Sequence, residues 1–425
     1  MIMKKWCVLM IAFVLSVPSA YGITLEELQR SAVSNRDIVK RYQADVEQRG
    51  QQIREVKGEF LPSFDAGYTF NRLDDDGLYE YKENDAAFGT VSWNVFAGFK
   101  DKYNLKATET LQEIDRLSLS ALKQDIQRVV ALNYLTVYRA RANLKVTEDA
   151  VNLYRDRYRD VQLKYEVGIL KKNDLLKLKV ELDNAVQDAR RAGAEVSKSL
   201  NDLSRQTGVV VSLEKLDFGC FDALPAKAGY PEYEAQLMAR RSEIKALVKA
   251  REAAGYQVMA TKSSLYPRAD LSVSYGNNHY DDYFYGSSDL NEAEVRFQGT
   301  VSINLFDGMK KYARISQARI EEKKAGYDLT ELEDDLKTRL KNALLDLDVA
   351  VDNLEVAQSS QLEAEENLRV TDLSFKQGLS TSTDILDAIF FLSRARFNII
   401  DAYTQVFGSY FELQRLVEGF EQYES

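Results

Sequence analysis

Residues Ser374 to Asp387 read SFKQGLSTSTDILD, and they interrupt a very long helical run. Gly378 and the cluster Ser380 to Thr383 predict a turn followed by a helix start, because a hydroxyl at a helix N-cap accepts an orphan backbone N–H. Asp384 and Asp387 then fall in the first turns of the restarted helix. At a spacing of three they share one face. The same arrangement occurs earlier, as KYEVGILKKNDLLK from Lys164 to Lys177. Tyr165, Gly168 and Asp174 match Phe375, Gly378 and Asp384 at a constant offset of 210, as do Asn94, Phe96 and Gly98 against Asn304, Phe306 and Gly308. A period of half the chain means one duplicated fold rather than a solenoid of many repeats.

Working outward, the first half starts with a helical pattern over 23–59. Thr24 is its cap, with Glu27 three residues on, and Gly58 and Pro62 close it. The period then changes to two. Phe64, Ala66, Tyr68 and Phe70 alternate with polar neighbours, predicting a strand over 63–71. Gly89, Val91, Trp93 and Val95 do the same over 87–97. The loop from Arg72 to Ala86 is acidic and belongs in water. Each strand has about the length a tilted membrane-spanning strand needs, although a hairpin of a soluble β-protein would look identical over this window. Neither Gly nor Pro occurs from Phe99 through Val167, and an apolar stripe predicts one helix over 98–166. Such a helix is about 100 Å long and suits a coiled coil or helical array, not a globular core. A second helix follows over 174–206, capped by Asn173 or Asp174.

Residues 207–231 form a Gly- and Pro-containing linker, in which Cys220 is expected to be a small buried hydrophobe. The second half repeats the pattern: helix 232–264, strands 269–276 and 294–306, long helix 308–374, final helix 384–419 and a polar tail 420–425. The intervening loop, 276–292, carries the chain's one His, His279. A lone His without a second ligand in sequence reach is a surface residue, not a metal centre.

Composition narrows the function. The chain has 425 residues, with 56 basic and 66 acidic side chains and a net charge of −10. Nucleic acid rewards clustered Lys and Arg, so it is not an expected partner. Residues 1–22 read as a secretory signal peptide, with Lys4 and Lys5, an apolar core and the small residues Ala20 and Gly22 before the cleavage point. Cys7 leaves with it, and a single remaining Cys makes no intrachain disulfide. No later stretch is long and apolar enough for a membrane helix, so membrane insertion would have to use strands. Phosphate loops, HExxH and nucleophile elbows are missing, and no cofactor, metal or catalytic residue is expected. Four strands cannot close a membrane barrel, and open edges are not tolerated in lipid. Several copies would have to contribute to one wall.

The sequence resembles the outer-membrane efflux proteins, the TolC-like channel-tunnels, over about 23–420. The resemblance rests on ITLEEL near the start and on Leu61-Pro62 and Tyr266-Pro267 before the strand pairs. It continues through SWNVFAG and SINLFDG after them, Gly168 and Gly378 at the helix breaks, and TDILDA. It implies a fold that is mainly α with a small β part. A duplicated helix, strand-pair and long-helix unit would form a trimeric twelve-stranded transmembrane β-barrel, four strands per chain, continued by a long periplasmic α-helical coiled-coil barrel. It also implies an exit duct of a tripartite efflux or type I secretion system, a passive conduit in the outer membrane gated at its periplasmic end. The implied partners are two further copies, outer-membrane lipid, a periplasmic adaptor and an inner-membrane RND or ABC pump.

The match puts Asp384 and Asp387 on the inward face at the tapered end, where copies around one axis would form a charge ring, and Asp174 of the first repeat is a further candidate for it. Capping explains Asp384 and Asp174 as well. Gly168 with Leu170 and Gly378 with Leu379 are the expected adaptor-contact turns. In well-known members a Tyr and an Arg near this break help hold the entrance closed. The matching positions here are Phe375 and Ser380, so that polar latch is not intact, and Tyr165, Lys171 and Lys172 are candidates to replace it. A rival reading is a non-channel periplasmic coiled-coil adaptor or structural protein, which would not need apolar strand faces.

Overall fold

A computed structural model describes residues 22–75, 83–280 and 290–421. The signal peptide up to residue 21, the acidic loop residues 76–82 and the tail from 422 lie outside the described residues. In chain order the elements are α1 (Leu25–Asn35), α2 (Asp37–Gly58), β1 (Ser63–Arg72), β2 (Glu83–Phe96), α3 (Lys100–Glu166), α4 (Lys172–Thr207), α5 (Tyr230–Arg240), α6 (Ser242–Lys262), β3 (Arg268–Tyr280), β4 (Leu290–Ser302), α7 (Lys310–Lys376) and α8 (Ser382–Val417). They divide between two compact units. One takes residues up to 32 with 130–225 and 356–407, the other 33–129 with 226–355 and 408–425.

In the second of these units, the four strands form one antiparallel sheet in the order β1-β2-β3-β4. Its register explains the sequence pattern. Phe64, Val91, Val273 and Phe297 lie in one row across all four strands. Directly opposed residues share a face, so this row, with Ala66, Gly89, Tyr275 and Val295 beside it, makes one side apolar. The next row reads Ser63, Ser92, Ser272, Gln298 and makes the other side polar. Phe88 is an aromatic residue on the polar side. Its strand neighbours are Gly67 and Gly276, and its ring lies where a Cβ on Gly67 would be, 2.4 Å from that point. The apolar side is exposed in the single chain, Phe297 to 77%. Among the described residues, one flank each of β1 and β4 has no partner.

Several expected boundaries move. His279 belongs to β3, paired with Asp85 and Asn291, and not to a loop. β2 starts at Glu83 and β3 ends at Tyr280, so both intervening loops are shorter than their polarity suggested. β4 ends at Ser302 instead of 306.

Two expected helices are each broken in two. The 23–59 helix breaks at Arg36 (φ −72°, ψ 130°). The 232–264 helix starts at Tyr230, with Pro231 in its first turn, and breaks at Arg241 (φ −53°, ψ 114°). The second break has a tertiary cause within the sheet-bearing unit. Ser242 N–H and hydroxyl donate to the two carboxylate oxygens of Glu418, at 2.7 and 2.9 Å. The Arg241 guanidinium donates to the carbonyls of Arg415 and Leu416 at the end of α8. Each helix end is thus capped by a side chain from the other.

The other unit is organised around an aromatic cluster of Tyr134, Tyr138, Phe218, Phe221, Tyr403 and Phe407. Its first strand-like residue, Ile23, bridges Leu216 in parallel, and Thr24 and Glu27 form the expected capping box, at 3.2 and 3.3 Å. Cys220 is exposed and not buried as expected, because the short 3₁₀ turn Gly219–Phe221 aims Phe221 inward and leaves its neighbour outside. Among the described residues, no helix is long and apolar enough to cross a membrane.

Candidate functional site

The two related helix breaks, α3 to α4 and α7 to α8, belong to the same unit and have the same backbone geometry. Gly168 and Gly378 are left-handed, at φ 78° and 77°. Ile169 N–H donates to Lys164 C=O and Leu379 N–H to Ser374 C=O, both at 2.8 Å, while each glycine N–H reaches the carbonyl three residues back. These are Schellman closures, which need the positive φ that glycine adopts without Cβ strain. The residue left outside each turn is Ile169 or Leu379, 70% and 77% exposed. Leu170, expected to be the exposed contact, instead packs against the core beneath the turn. The offset of 210 pairs Leu379 with Ile169, which the sequence reading passed over.

That core explains how the breaks are held. Val161, Leu178, Phe375, Ile385 and Ile389 are buried together, Phe375 to 2%. Phe375 is therefore an anchor of the turn, while its counterpart Tyr165 is exposed. The Lys164 ammonium lies 4.1 Å from the Phe375 ring centroid and donates to the Phe375 carbonyl at 2.9 Å. Two turns before Lys164, Arg157 pairs with Asp372 at 2.6 Å, both half-buried, and Lys376 pairs with the same carboxylate at 2.8 Å. α3 and α7 are thus fastened by cations of one half on the backbone, ring and carboxylate of the other. Lys171 and Lys172, the suggested replacements for the latch, are exposed. Ser380 donates to the Thr371 carbonyl within its own hairpin, at 3.2 Å.

The carboxylates differ in role. Thr381 N–H and hydroxyl donate to the Asp384 carboxylate at 2.7 and 2.8 Å, and Asp384 N–H donates to the Thr381 hydroxyl at 3.2 Å. This is a reciprocal capping box. Those donors lower the Asp384 pKa below its ordinary value. The cap's contribution is present at pH above about 4 and fades as pH falls through the lowered value. Asp387 is exposed one turn further on, followed on the same side by Phe391 and Arg394. Burial, with the negative charges of Glu181, Asp188 and Asp387, pushes Tyr154 up to about 12. Asp174 is partly buried at the third position of α4. The residue preceding that helix is Lys171, so neither Asn173 nor Asp174 is its N-cap, and no side chain caps it. Among the described residues no group of three His, Cys, Asp or Glu side chains is arranged to hold a metal.

Comparison with known proteins adds to this geometry. The family model described as outer membrane efflux protein matches residues 28–209 and again 235–418, once for each half. Curated protein sequences give no significant match. Solved structures do. The Campylobacter jejuni CmeC outer membrane channel superposes with a TM-score of 0.78 at 15% identity, covering 94% of this chain and 87% of that one. A membrane protein from Pseudomonas aeruginosa gives 0.77 at 18%, with 92% and 90% covered. The open state of the Neisseria gonorrhoeae MtrE outer membrane channel gives 0.76 at 15%, with 93% and 89% covered. At such identities the likeness speaks for the fold.

Proposed function

Because the chain belongs to the outer membrane efflux protein family, we propose that it works as a trimer, pooling its strands into one barrel and gating passage at its paired helix breaks. Membership makes it an outer-membrane channel, the exit duct of an efflux or secretion system, and a passive conduit instead of an enzyme. The observation that carries the trimer is the sheet. One face is apolar in row after row and open to the surroundings, and two strand flanks are unpaired. Lipid accepts the first feature and forbids the second unless other copies close the wall. The rival periplasmic adaptor or structural protein has no use for such a face.

At the breaks, copies of Asp384 and Asp387 gathered around one axis would attract cations and bind a blocking divalent ion. Asp384 is the weaker member, since Thr381 already engages it. Opening would move the hairpins outward against the Lys164 and Arg157 fastenings. The exposed turns at Gly168 and Gly378, with Ile169 and Leu379, suit contact with a periplasmic adaptor serving an RND or ABC pump. The test is planar-bilayer conductance of Asp384→Asn with Asp387→Asn. Cation preference and divalent block should both fall. Unchanged values would remove the carboxylates from the gate, and most of any effect should come from Asp387→Asn alone.

A further inference from the structure

β4 stops at Ser302, yet its counterpart in the other half does not stop there. Trp93 to Phe96 of β2 continue as strand because β3 lies beside them, Trp93 opposite Leu271 and Phe96 opposite Ala269. The matching residues Ile303 to Phe306 have no such neighbour among the described residues. The turns that follow differ in the same way. Gly98 and Phe99 are both left-handed, and a Cβ on Gly98 would meet the Ser263 carbonyl oxygen at 2.6 Å and Tyr266 Cβ at 2.9 Å. Phe99 in turn meets Phe96 and Tyr266 edge-on, at 5.0 and 6.0 Å between centroids. Gly308 and Met309 take the same left-handed pair, φ 70° and 68°, but nothing lies within 4 Å of a Cβ on Gly308. Phe306 and Met309 are 77% and 60% exposed. A non-glycine residue at positive φ is strained, and in the first half that strain holds a packed corner.

What packs the first corner is the residue before β3, Tyr266-Pro267. Its counterpart is Leu61-Pro62, before the edge strand β1, where Leu61 is 67% exposed. One half of the contact is therefore empty at β4, and the matching filler is unused at β1. We infer that the seam between neighbouring copies repeats the β2–β3 seam inside the chain. Leu61 of one copy seats on Gly308, Phe306 and Met309 of the next, and β1 pairs with β4 in a register that extends β4 to about residue 306. This rests on the trimeric reading and goes beyond it by fixing which residues oppose which. Carrying the internal register across puts Val301 opposite Tyr68, Ile303 opposite Ala66 and Gly299 opposite Phe70 of the neighbouring copy, from the internal pairs Val91–Val273, Trp93–Leu271 and Gly89–Tyr275. Every one of these joins apolar side to apolar side. A slip of one residue would set the apolar row against the polar one.

The test is disulfide crosslinking of the full mature chain in a Cys220→Ser background, which removes the exposed thiol. Directly opposed residues in an antiparallel pair lie within the Cα separation of about 7 Å that a disulfide tolerates. Tyr68→Cys with Val301→Cys, and separately Ala66→Cys with Ile303→Cys, should give covalent dimers and trimers on mild oxidation. The off-register pair Ala66→Cys with Val301→Cys should stay uncrosslinked. Native mass spectrometry of the same samples gives the oligomeric state. Intact trimers in which both in-register pairs fail, or in which the off-register pair links instead, would overturn the seam and leave the channel reading standing. Absence of any trimer, in the variants and in the Cys220→Ser parent alike, would overturn both.

Discussion

Lys164 holds Phe375 twice, through the ring and through the carbonyl. Lys164→Met keeps the apolar stem and loses both contacts. It should loosen the α3–α7 junction by about 1–3 kcal/mol. Hydrogen exchange at the ends of α3 and α7 should rise, and the basal conductance of the purified channel should rise with it. Unaltered exchange would show that the hydrophobic cluster alone holds the turn. The sequence pointed to the neighbourhood of this contact but did not single out Lys164. Tyr165, Lys171 and Lys172 were attractive because they are close in sequence. Lys164 is selected by the packing of α3 against α7, which brings residues 211 apart into contact. Periodicity within one helix carries no such information. Asp384 was more legible, because a hydroxyl three residues before a carboxylate is a local signal whose geometry hardly depends on tertiary structure.

Among the elements, the long helices and the strands were readable because their periods are unmistakable, whereas the two breaks at Arg36 and Arg241 were not. Neither has Gly or Pro, and at Arg241 the stabilising groups come from the far end of the chain. Glu418 is left-handed, φ 50°, a conformation that disfavours a side chain bearing Cβ. Its equivalent, Gly208, has φ 72° and no such strain. Glu418 stays because its carboxylate takes both Ser242 donors. Glu418→Ala should therefore lower stability by about 1–3 kcal/mol, from buried donors left without an acceptor. Glu418→Gly should be milder by up to about 1 kcal/mol, since it relieves the backbone. Thermal midpoints of the assembled protein for the two variants decide it. Equal losses would mean that the left-handed backbone contributes nothing to the balance.

For the whole molecule, the sheet's two faces assign its surroundings. Phe297→Arg puts a charge on the apolar side and should cost about 2–4 kcal/mol if that residue sits near the middle of the bilayer. The adjacent Gln298→Arg faces the polar side and should be tolerated. The comparison reads out as heat-resistant oligomer recovered from the outer-membrane fraction, which should drop for the first variant and persist for the second. Equal recovery would mean that the apolar rows do not face lipid. This level of organisation was legible in outline, because strands too few to close a wall imply additional copies. The early end of β4 was not legible. A strand's length depends on what pairs with it, and residues 303–306 have the alternation of a strand without a neighbour to fulfil it.

Phe88 and Gly67 leave one more consequence. The aromatic lies down on the polar side of the sheet because the residue across from it has no side chain at all. A single methyl group at position 67 would lift the tip of the ring off its seat. If that side lines the bore, the clearance offered to a travelling solute depends there on an atom that is missing.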